Sequence, residues 1–196
     1  MKEFSLSILI LEGLVIAAVF LFLVRKSLAK QHALLDPQVI KRNGRIKKGF
    51  RYQQLIFPYE MFEVHVYFTP GGKKSPPYTH VTTKMVPLRP YTITLYKEIE
   101  VFSRIAEVFG IKDIQLNNPV FDEAFVVKGS DESVVHAFFS SGIQNKLLLF
   151  KDKRPAFLIY KNKFSFSVPG IPNDDTDLDN IIDTGLILLS RVNEVS

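Results

Sequence analysis

Asp113, Asp122, Glu123 and Asp131 lie close together in the sequence. Carboxylates brought together can hold a cation or divide acid and base work between them. A hydrolase built on these acids is one reading of the chain. The motifs that usually accompany such chemistry are missing: there is no HExxH, Walker A, GxSxG or GxGxxG. The acids also have a plainer use. Asp122 can accept backbone donors around a turn, and Asp131 and Glu132 suit the positive end of a helix. No catalytic residue, metal ligand or cofactor is assigned.

The four histidines are His32, His65, His80 and His136, and there is no Cys. That excludes disulfides, thiolate catalysis and Cys zinc sites. His65 and His80 flank the loop containing Gly71-Gly72 and can face each other across a hairpin. Two histidines are too few for zinc, which takes at least three protein ligands. His65 falls on the polar side of its strand and reads as a surface residue. "GGKK" lacks the strand-to-helix setting of a phosphate loop. "DDTDLD" lacks the glycine and distal Glu of a Ca²⁺ loop and reads as a helix cap.

Hydrophobic periodicity gives the elements that position these groups. Phe62, Val64, Val66 and Phe68 alternate with polar residues, a half-buried strand. Strands are also expected over 50–57, 78–86 and 91–95, with a loop from Thr69 to Pro77. Lys97 to Phe109 has helical spacing and Gly110 as its stop. A strand follows over Phe125 to Lys128, then a helix capped by Ser130 and ending near Gly142, with Asn145 to Phe150 again helical. Pro155 to Tyr160 and Phe164 to Val168 form a hairpin. Asp177 to Val192 is a last helix with an Ile/Leu stripe. The order predicts an α+β domain: antiparallel sheet, central helices, a β-hairpin and a C-terminal helix.

Ahead of this domain lies an apolar run over residues 4–24, interrupted only by Glu12. As a helix, about 21 residues span roughly 30 Å, the thickness of a hydrocarbon core. The small-x-small site of a signal peptide, Ser27-Leu28-Ala29, lies beyond Arg25-Lys26, which argues for an uncleaved transmembrane anchor. Glu12 would then sit near mid-bilayer, where an ionisable group is costly. Gly13 and Ala17 form a small-xxx-small pair. Together Glu12, Gly13 and Ala17 suggest helix packing against a second copy or another membrane protein. A tolerated lone Glu is the alternative.

Charge is concentrated after the run. Arg25 to Arg51 holds nine Lys/Arg against Asp36 alone, a net +8 in a chain of net +5, so the remaining domain is slightly acidic. That excludes a nucleic-acid reading based on overall charge. Residues 25–49 read as a basic juxtamembrane linker, broken at Asp36-Pro37, with the domain spanning 50–196. Arg25, Lys26, Lys41, Arg42, Arg45, Lys47 and Lys48 are the candidate membrane-surface residues, facing anionic lipid headgroups. The positive-inside rule puts the N-terminus outside the cell membrane and the domain in the cytoplasm.

One stretch resembles a known pattern. Gly110, Asp113 and Ile114, then Asn118, Pro119, Phe121, Asp122, Phe125 and Lys128, then Asp131 and Glu132 resemble uncharacterised membrane-associated bacterial α+β domain families. Asn117 stands where that pattern has Gly, which predicts a different turn. The resemblance implies an α+β domain of unknown function on a membrane anchor, and it implies no reaction. The chain therefore reads as a single-pass, membrane-anchored binding or scaffolding module. The alternatives are the hydrolase above and a carrier of apolar ligands or lipid, which requires a Phe-lined cavity.

Overall fold

The computed structural model describes residues 2–49, 52–73, 75–85, 91–97 and 112–195, and only the backbone of residues 2–10. The predicted helix from Lys97 to Phe109, with its Gly110 stop, lies outside the described residues apart from Lys97.

Among the described residues nine strands build one antiparallel sheet. They are β1 (Arg45–Lys48), β2 (Gln53–Tyr59), β3 (Phe62–Thr69), β4 (Tyr78–Lys84), β5 (Ile93–Tyr96), β6 (Lys112–Asp113), β7 (Val126–Gly129), β8 (Ala156–Tyr160) and β9 (Lys163–Pro169). Their spatial order is β1-β2-β3-β4-β9-β8-β5-β7-β6. The first four form a meander. The β8–β9 hairpin then joins the halves, because β9 pairs with β4 on one side and β8 on the other.

Period two sorts the side chains into two faces. Leu55, Phe57, Val64, Val66, Phe68, Val81, Phe157, Ile159, Phe164, Phe166 and Val168 point to one face and are buried. The helices supply the rest of that core. They are α1 (Lys2–Lys41), α2 (Pro119–Ala124), α3 (Glu132–Phe138), α4 (Ser141–Leu148) and α5 (Asp175–Val195). From α5, Leu178, Ile181, Ile182, Leu188, Leu189 and Val192 complete it. The α+β class is as expected, with an antiparallel sheet and a helix at each end of the chain.

Several local expectations are corrected. Residues 25–49 do not form a separate linker. Helix α1 runs unbroken through Pro37 to Lys41, and 45–48 form β1. Pro37 is tolerated because it lies on the exposed side, while Gln31, Leu34, Leu35 and Gln38 bury the other side in the domain. The domain therefore begins inside α1, not at residue 50. Asp131, not Ser130, caps α3, and the Ser130 hydroxyl instead accepts the Thr92 N–H at 2.9 Å. The chain breaks helix at Phe139–Ser140, and Gly142 lies within α4.

Among the described residues no helix is long and apolar enough to cross a membrane. The predicted span over 4–24 is described in side-chain detail only from Leu11 onward.

Candidate functional site

Three of the four acids are engaged in separate local bonds. Asp122 accepts the backbone N–H of Leu116 at 2.9 Å and of Asn118 at 3.1 Å, closing the turn before α2. Asn117 in that turn has φ 58, the left-handed conformation that Gly adopts most easily. Asn is the next most tolerant residue there, so a left-handed turn forms without Gly. Asp131 accepts from Ser133 N and Val134 N at 2.9 and 3.2 Å. Asp113 pairs with Lys128 across β6–β7 at 3.2 Å. Burial alone would lower the Lys128 pKa, but Asp113 and Tyr96 outweigh it and raise the pKa above the ordinary lysine value. Glu123 is exposed. Among the described residues no three His, Cys, Asp or Glu side chains are grouped to hold a metal. These bonds give Asp113, Asp122 and Asp131 structural roles in three separate places.

The phenylalanines pack on one another. Phe121 and Phe125 sit with ring centroids 5.0 Å apart, and Phe138, Phe139, Phe157 and Phe164 continue the cluster at 5.1–6.3 Å. Phe121, Phe138, Phe139, Phe157 and Phe164 are fully buried in that cluster.

The basic residues divide into two groups. Lys41 and Arg42 face α5 rather than open solvent. Arg42 donates to Asp179 at 2.9 Å and Asp183 at 2.8 Å, and Lys41 pairs with Asp179. Gln38, fully buried, donates to Asp175 at 2.6 Å and Asp179 at 2.9 Å. Burial alone would raise the Asp179 carboxyl, but the bonds from Lys41, Gln38 and Arg42 hold it below the usual carboxylate range. Arg45 pairs with Glu63 at 3.0 Å. Arg25, Lys26, Lys47 and Lys48 are exposed, and among the described residues they enter no ion pair.

The clamp between α1 and α5 fixes the direction of α1. The Gln53 N–H donates to Gln31 Oε1 at 3.2 Å, while the Arg42 guanidinium lies 5.6 Å from the Phe57 ring centroid. Helix α1 therefore runs alongside β2 in the same direction, and its N-terminal part projects past the start of β2. Nine large side chains between Leu11 and Leu23 are 52–69% exposed there. They cover all sides of the helix rather than a stripe. Removing them from water is worth on the order of 10–20 kcal/mol, more than most domains have in total stability. Glu12, Gly13 and Ala17 are exposed among them, and a side chain added at Gly13 would meet nothing.

Register identifies what else lies at that end of the sheet. Lys48 pairs with Gln53, Gln54 with Tyr67, and Thr69 with Tyr78. The rings of Tyr52, Tyr67, His80 and Tyr78 stack in a row on the sheet face away from the core, with centroids 4.8–5.9 Å apart. His80 is held at both nitrogens, Nε2 by the Thr69 hydroxyl at 2.9 Å and Nδ1 by Ser167 at 2.8 Å. The sequence placed His80 opposite His65, but the register sets His65 against Thr82 and His80 against Tyr67. Burial, with Tyr52 adding, raises the Tyr67 phenol. Burial, with the charge of Lys163 adding, lowers the His80 pKa, so His80 is neutral at pH 7.

That shift has a signed consequence. The folded His80 pKa lies below its unfolded value near 6.5, so its contribution to stability is present above that pH and lost as pH falls through the folded value. Thermal unfolding between pH 7.5 and 5 is expected to show a falling midpoint. In His80→Phe, which keeps the stacking, that fall should be shallower. An equally steep fall in the variant would show that His80 is not the group responsible.

No family model matches the chain. No curated protein matches it either. Among solved structures, the crystal structure of the mycobacterial trehalose monomycolate transport factor A, TtfA, superposes with a TM-score of 0.54 at 7% identity, covering 84% of this chain and 95% of that one. At that identity the likeness is one of fold alone.

Proposed function

We propose that the protein is a membrane-anchored binding module, held by the N-terminal part of α1 with the tyrosine-and-lysine end of its sheet against the lipid headgroups. The observation that carries this reading is the all-round exposure of Leu11 to Leu23 on a helix whose other half is locked into the domain. A helix that is apolar on every side is covered by lipid or by a protein interior, whereas a partner helix would need only a stripe. From Gln31 back to Arg25 the helix rises about 9 Å, so the start of β2 would lie roughly 1 nm from the bilayer boundary. Tyrosine rings and lysines are the residues that favour that zone. Lys47 and Lys48 on the edge strand β1 also blunt strand pairing with another chain. Lys48 pairs with Gln53, which bonds to Gln31, so both lysines lie at the end of the sheet from which α1 runs back to Arg25 and Lys26, and this adds the headgroup role. The positive-inside bias supports a cytoplasmic domain. The fold shared with a trehalose monomycolate transport factor supports a lipid-related task.

Reconstitution of the full chain tests the anchor. The wild type is expected to stay with vesicles of phosphatidylcholine and phosphatidylglycerol through an alkaline carbonate wash. Leu14→Arg with Phe20→Arg is expected to release it. In Lys47→Glu with Lys48→Glu the chain should stay anchored. Release of the wild type by the wash would contradict the proposal.

A further inference from the structure

The opposite end of the open sheet face carries a different chemistry. Glu63, His65, Thr82, Lys84, Tyr160, Lys161 and Lys163 surround a groove of about 830 Å³, within the range of small-ligand sites. Lys84 on β4 and Lys163 on β9 are direct register partners. Like charges directly opposite each other on neighbouring strands are destabilising. Lys161 adds a third charge from the β8–β9 turn, where it holds a left-handed φ of 51 and sits 5.1 Å from the Tyr160 ring centroid. Among the described residues lining the groove the one carboxylate, Glu63, is already engaged by Arg45 at 3.0 Å and lies 3.2 Å from His65. Three lysines therefore line one concave surface, with one already-engaged acid among the described lining residues.

We infer that this groove binds an anionic phosphate group, with Lys84, Lys161 and Lys163 as its donors. Lysine suits this task as a compact charge with three hydrogens to donate. The anion would offset the repulsion that the Lys84–Lys163 pairing creates. The groove lies at the end where β2 finishes and α1 reaches Arg42, away from the exposed apolar half of α1. It is therefore distinct from the surface proposed above, and it stands even if that surface is not at a bilayer. The phosphate can belong to a soluble compound or to a lipid headgroup of another membrane.

Titration of the full chain in neutral detergent with sodium pyrophosphate is the test. The wild type is expected to bind saturably, and Lys84→Gln with Lys163→Gln to bind at least roughly tenfold more weakly. Without ligand, the same variant is expected to melt a few degrees higher, since the opposed charges are gone. Lys47→Gln with Lys48→Gln, at the other end, should bind as the wild type does. Displacement of pyrophosphate by phosphatidylglycerol in mixed micelles supports the site with a headgroup as its phosphate. Failure to displace supports it with a soluble one. Absence of saturable binding at millimolar pyrophosphate, or equal weakening in the Lys47/Lys48 variant, overturns the site.

Discussion

Asp179→Ala is expected to cost about 2–4 kcal/mol, seen as a fall of roughly 5–12 °C in the melting midpoint of the full chain. Asp179 accepts from Gln38, Lys41 and Arg42. Gln38 is fully buried, and the Arg42 side chain is 9% exposed. Removing the carboxylate leaves a nearly buried cation with the exposed Asp183 as its one carboxylate, beside the neutral Gln38 Oε1 that accepts from its Nε at 2.7 Å, and a buried amide with one of its two acceptors. The cost of an orphaned buried charge exceeds what the pair itself contributes, which is why the effect is large. Asp179→Asn should lose less, because its amide oxygen still accepts from Gln38. A change within about 0.5 kcal/mol, the usual range for surface substitutions, would show that α1 is a loose tether rather than part of the domain.

Gly185→Leu is expected to cost about 3 kcal/mol for a different reason. Helix α5 crosses β4 at Gly185. A Cβ there would lie 2.8 Å from Val81 Cγ1 and 3.0 Å from Val81 Cβ. The second distance is decisive, because a rotamer change moves Cγ1 but not Cβ, so helix and strand must separate. Gly185→Ala meets the same contact, offset by about 1 kcal/mol of helix propensity. In a Val81→Gly background both contacts are relieved. Gly185→Ala should then stabilise the protein, and thermal melts of the two single variants and the double would show the change of sign. Additive effects would place the close approach elsewhere.

Sequence patterns of short range anticipated much of the fold. Alternation of Phe62, Val64, Val66 and Phe68 marked β3 because one face is buried and the other is not. The Asp122 cap was legible because Asn-Pro ahead of it forces a turn with exposed donors. The strand order was not legible: β9 enters between β4 and β8 through side-chain fit across the sheet, and no local pattern encodes that. Pro37 suggested a break because propensity alone disfavours it, and burial of Leu34, Leu35 and Gln38 on the opposite side outweighs that cost. Lys41 and Arg42 group in the sequence with the other candidate membrane-surface residues, since their partners lie about 140 residues away. Asp175, Asp179 and Asp183, at spacing four on one face of the last helix, were the available signal that a basic helix packs there. The stacking of His80 leaves no local sign in the sequence, because it depends on the registers of β3 and β4.

The chain contains no Trp, so a single introduced Trp reports its own surroundings. Tyr78→Trp lies at the end of the sheet beside the exposed half of α1, and Tyr160→Trp at the opposite end. In full chain reconstituted into vesicles carrying a headgroup-attached quencher, the Trp at 78 is expected to be strongly quenched and the Trp at 160 hardly at all. Equal quenching at both positions, or stronger quenching at 160, would contradict the proposed seating of the domain on the membrane.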